Sequence, residues 1–84
     1  MTPEEKKEWA AKASPILKVY LNQTIGYPNC DPRLILNLLP QMWNLLVERG
    51  MIVEGMTYDS FVYHAQAQYM KGEMQTEINR ILGL

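Results

Sequence analysis

From Pro32 to Glu48 the polar side chains are Arg33, Asn37, Gln41, Asn44 and Glu48, spaced four, four, three and four apart. At about 100° per residue they fall in one wedge of about 80° on a helix. The remaining circumference is apolar: Leu34, Ile35, Leu36, Leu38, Leu39, Met42, Trp43, Leu45, Leu46 and Val47. The pattern predicts a helix over 32–49 whose wedge is its wet side. Such a helix needs partners on most sides, and a chain of 84 residues has few to offer. Association with another copy, as a helical homodimer, is the expectation that follows.

The segments on either side also carry helical periods. Thr2-Pro3-Glu4-Glu5 reads as a cap, an N1 proline and a capping box. Trp9, Ala13, Ile16, Leu17, Tyr20, Leu21 and Thr24 then form one stripe, opposite Glu4, Lys7, Glu8, Ala11, Lys12, Lys18 and Asn22. The stripe keeps its phase through Pro15, which favours one bent helix over 3–25 rather than two short ones, with Gly26 as its left-handed terminator. Asp31-Pro32 caps the second helix. Pro40 lies beside the wedge without disturbing the period, and Gly50 with Met51 forms a Schellman-type stop against Leu46. The apolar stretch Met51–Met56 is expected to lie against the bundle or to form a short extended piece.

Thr57 caps a third predicted helix over 58–82. One of its faces holds Tyr58, Phe61, Val62, Ala65, Tyr69 and Gly72. The other holds Tyr63, Ala67, Met70, Met74, Ile78 and Ile81, close to a heptad seam. The expected fold is therefore all-α, a three-helix bundle-like single domain over 1–84 with helix two central. Trp43 should meet Trp9 or Tyr20 from the first helix and Phe61 or Tyr69 from the third. The candidate interface residues are Leu36, Leu39, Trp43, Tyr63, Ala67, Met70, Met74, Ile78 and Ile81.

Composition narrows the chemistry. Cys30 is the only cysteine and His64 the only histidine, which excludes an internal disulfide and disfavours a structural metal site. Eight Lys/Arg against nine Asp/Glu leave a net charge of −1, with no pull toward nucleic acid or anionic lipid. Glu4, Glu5 and Glu8 stand where an export signal would need a basic start, and no apolar run approaches the ~20 residues of a membrane span. A cytoplasmic location is the default.

Catalysis has little support. His64 reads as a surface or boundary residue without an orienting carboxylate, Cys30 as a small apolar residue beside the capping Asp31, and Glu73 and Glu77 as a solvated pair. No phosphate loop, dinucleotide fingerprint or CxxC is present, and no cofactor is expected. The segment 45–52 looks like the helix-to-strand junction of winged-helix regulators. The wedge on helix two, however, offers one cation and one anion, too little for phosphate contacts. A non-enzymatic helical interaction module, an adaptor or regulator that self-associates and can take a protein partner, is the leading reading. A DNA-binding regulator of winged-helix or helix-turn-helix type is the alternative.

Overall fold

The computed structural model describes residues 2–83. Thr2 is extended and its hydroxyl accepts the Glu5 N–H at 3.2 Å, which opens α1 (Pro3–Ile25) with Pro3 in its first turn. The helix runs through Pro15 without a break and stops where Gly26, at φ 74°, donates to the Asn22 carbonyl at 3.1 Å. Trp9, Ala13, Leu17 and Leu21 are its buried edge, while Pro15 and the charged face are exposed. The Ala11 carbonyl that Pro15 leaves without a donor is thus on the water side of the helix.

Asp31 caps α2 (Pro32–Glu48) by accepting the Arg33 N–H at 2.9 Å. Pro40 is again exposed and the helix again continuous. Its end has the expected geometry: Gly50 at φ 66° donates to Val47, and the Met51 N–H reaches the Leu46 carbonyl at 2.9 Å. Ile35, Leu39, Met42 and Leu46 form the buried edge, and all five residues of the polar wedge are exposed.

The connection that follows lies against the bundle. Met51, Ile52 and Met56 are half-buried, and the Met51 carbonyl accepts the Trp9 indole N–H at 2.6 Å. No strand occurs among the described residues, so the junction at 45–52 leads into a turn and not into the hairpin of a wing.

The third predicted helix is two helices, which corrects the three-helix expectation: α3 (Tyr58–Tyr69) and α4 (Gln75–Leu82). Thr57 caps α3 as expected, its hydroxyl accepting the Ser60 N–H at 3.1 Å. The heptad-like period from Met70 to Ile81 runs across a turn in which Lys71, Gly72 and Met74 all have positive φ, at 55°, 76° and 69°. Gln66 holds that turn. Its backbone carbonyl accepts from Met70 and Gly72, and its buried side-chain amide donates to the Gly72 and Glu73 carbonyls and to the Gln75 side chain, at 3.3, 3.2 and 2.9 Å. A straight helix over 58–82 would extend about 37 Å, against about 25 Å for α2, leaving its last turns without a surface to pack on. The break returns Ile78 to the core, where it is fully buried with Met70.

The core joins all four helices: the buried edges of α1 and α2, Phe61, Val62, Ala65 and Tyr69 of α3, Met70, and Ile78 of α4. α2 packs on both α1 and α3, and α4 packs on α3. The Cα radius of gyration, 12.3 Å, is close to the ~12 Å of a folded domain of this length. The core therefore closes within one chain. Trp43 meets Phe61 at 5.6 Å between ring centroids and also Tyr58 at 5.8 Å. Its expected partners on α1 lie elsewhere: the Trp9 ring packs on His64, and Tyr20 lines the opposite flank of α2 beside Leu45.

Two substitutions test the turn. Gln66→Leu keeps the volume but orphans two carbonyls, and should lower the unfolding free energy by about 1–3 kcal/mol in urea titrations. Lys71→Gly, at an exposed left-handed position, should raise it by about 1 kcal/mol. An unchanged Gln66→Leu midpoint would mean the turn is held by something else.

Candidate functional site

The outer face of α2 carries two adjacent strips. One is the polar wedge, whose Arg33 stands 3.8 Å from the capping Asp31. Both side chains are largely solvated, so this pair contributes little. Beside the wedge run Leu36, Pro40, Trp43 and Val47, spaced four, three and four and covering about 60° of the helix. Leu36 and Trp43 are half-buried, Pro40 is exposed and Val47 is 50% exposed. An apolar strip with this spacing is the geometry by which one helix packs along another.

The nine candidate contact residues divide by burial. Leu39, Met70 and Ile78 fill this chain's own core, and Leu36, Trp43 and Met74 are half-buried at its edge. Tyr63, Ala67 and Ile81 are exposed. The seam expected from Tyr63 to Ile81 is not continuous, because the turn at 70–74 separates its α3 members from its α4 members. Pro40 and Val47 were not among the nine, although their spacing from Leu36 and Trp43 was legible once the wedge was placed.

A concavity of about 300 Å³ lies between the start of α1 and the start of α3, lined by Lys6, Trp9, Gly55, Met56, Ser60, Phe61 and His64. His64 is only 7% exposed, which corrects its reading as a surface or boundary residue. Its ring meets the Trp9 indole edge-on at 5.0 Å and makes no hydrogen bond to another described residue. Burial pushes the imidazole pKa down, and the Lys6 ammonium lowers it further. The ring is thus neutral at pH 7, with one donor and one acceptor nitrogen.

Other candidates are not brought together. Cys30 is half-buried and free, Glu73 is exposed at the α3–α4 turn, and no group of three His, Cys, Asp or Glu side chains able to hold a metal ion occurs among the described residues. Among the described residues, no helix is long and apolar enough to cross a membrane. The Tyr69 hydroxyl is buried beside Ser14 without a hydrogen bond of good geometry, and burial raises its pKa. With the geometry in place, comparison identifies no relative: the chain matches no protein-family model, no curated protein and no solved structure.

Burial of His64 makes stability depend on pH with a defined sign. The unfolded chain takes up a proton near pH 6.5, whereas the folded chain resists it to lower pH. The contribution is complete above about pH 6.5 and is lost as pH falls through the lowered value. The thermal stability of the wild type should therefore fall between pH 7 and 5, and His64→Gln should flatten that slope. An equal slope in both proteins would assign the dependence to other groups.

Proposed function

We propose that this chain is a small non-enzymatic helical interaction module whose partner is a second copy of itself, docked through the outer strip of α2. The observation that carries this reading is the strip Leu36, Pro40, Trp43 and Val47, which is self-complementary when reversed. A two-fold axis passing between Gln41 and Met42 sets Leu36 opposite Val47 of the partner subunit and Pro40 opposite Trp43 of the partner subunit. The same operation brings Arg33 toward Glu48 of the partner subunit along the rim, pairing opposite charges. A net charge of −1 per chain opposes this association only weakly. Since the core of each chain is already closed, the dimer is an association of folded monomers rather than a shared core. DNA recognition has less support, because the exposed wedge presents one cation and one anion and its neighbours supply no basic patch.

Sedimentation equilibrium tests the dimer. Val47→Glu places a charge on the apolar strip at an already exposed site, and should weaken association about tenfold or more without unfolding the monomer. Arg33→Glu and Glu48→Arg should each weaken it, and the double swap should recover most of the loss. A mass of 9.7 kDa persisting to about 100 µM chain would overturn the proposal.

A further inference from the structure

The concavity between the starts of α1 and α3 is built differently from the α2 strip. Its floor is aromatic and apolar: the Trp9 and Phe61 rings with Met56. Its polar groups are the Lys6 ammonium, the Ser60 hydroxyl and the His64 imidazole. His64 stands out among them. It is more than nine-tenths buried, yet neither ring nitrogen has a hydrogen-bond partner among the described residues. The ring nitrogens are not themselves sealed off, since the buried side-chain atom left without a partner among the described residues is the Tyr69 hydroxyl. The imidazole is therefore open to water or a bound molecule in the pocket. Trp9 cannot supply the partner, because its indole N–H is committed to the Met51 carbonyl at 2.6 Å.

Among the described residues, only one formal charge lines the pocket, that of Lys6, and it is positive. Lys6 lies one turn before Trp9 on α1, close enough to act electrostatically on His64. A neutral imidazole donor, a hydroxyl and an ammonium beside aromatic and apolar side chains match an apolar body carrying one carboxylate. The volume, about 300 Å³, is at the lower end of the ~300–1,000 Å³ of small-molecule sites. We propose that this pocket binds a small monoanionic organic acid with an apolar body, its carboxylate held by Lys6, His64 and Ser60 and its body on Trp9, Met56 and Phe61. None of its residues belongs to α2, although the Phe61 ring also packs on Trp43 of the strip at 5.6 Å between centroids.

Benzoate is a suitable probe, with neutral benzamide as its isostere. In ¹H–¹⁵N and imidazole NMR spectra, benzoate should shift the Trp9 indole and His64 resonances saturably, and by more than the Trp43 indole, which lies behind Phe61. An anion beside the imidazole favours its protonated form, so bound benzoate should raise the midpoint of the His64 titration. The charged groups that face the ring are Lys6 and the ligand itself, so this shift reports the bound carboxylate. Benzamide should bind about tenfold more weakly or worse, and Lys6→Ala, an exposed change, should weaken benzoate about fivefold or more. His64→Gln, which restores a donor, should retain more affinity than His64→Phe, with both variants checked for folding by circular dichroism. Absence of saturable shifts up to about 50 mM benzoate, equal binding of benzamide, or indifference to Lys6→Ala would each overturn the proposal. Dimer mass should be unaffected by Lys6→Ala, which separates this site from the interface.

Discussion

Trp9 is the side chain on which the arrangement of this fold turns. α1 packs chiefly on α2, and α3 packs on the other flank of α2. Nothing in that order alone requires the start of α1 to meet α3. Trp9 makes the connection: its N–H binds the Met51 carbonyl just past the end of α2, and its ring meets His64 on α3. The bond is buried at one end and serves a loop carbonyl that water would otherwise solvate. It draws the 51–56 connection against α1 and thereby shapes the pocket over which Lys6 and His64 lie.

A second constraint of the same kind operates at the far end of α3. Gln66 is a buried polar residue in a helix interior, which is unfavourable unless each of its donors is used. The turn at 70–74 uses them, and in return the Gly72 and Glu73 carbonyls gain a donor. The exchange allows Met70, Lys71, Gly72 and Met74 to leave helical geometry and folds α4 back, so that Ile78 completes the core. Among the described residues, the buried polar side chains His64 and Gln66 both lie on α3, as does the buried Tyr69 hydroxyl. Gln66 is consumed by structure, whereas His64 retains free hydrogen-bonding capacity toward a pocket.

That difference separates the two surfaces. The strip on α2 is apolar, regular and rimmed by opposite charges at its two ends, which suits a flat and symmetric partner. The pocket at the starts of α1 and α3 is concave, singly charged and polar at one wall, which suits a small ligand. A core closed within one chain leaves both available to the folded monomer.

Much of the fold was legible as local chemistry. The caps at Thr2, Asp31 and Thr57, the terminators Gly26 and Gly50, the five-residue wedge on α2 and the phase of α1 through Pro15 all follow from periodicity and turn residues acting over a few positions. All-α architecture was therefore determined by the sequence itself. The division of α3 from α4 was not, because a heptad-like period can continue across a turn and Gly72 has an equally regular place in either reading. The site was legible only in parts. Leu36 and Trp43 were visible as apolar positions, but their exposure and their registration with Pro40 and Val47 required knowing which flank α3 covers. His64 looked peripheral because it stands between the two apolar faces of its helix, near Ser60; in the fold its ring meets Trp9, 55 positions away in the chain. Local propensity and capping are set by neighbours in sequence, and the chain declares them. Which faces remain open, and which lone polar group is enclosed, depend on how separate helices meet, and only the tertiary structure decides that.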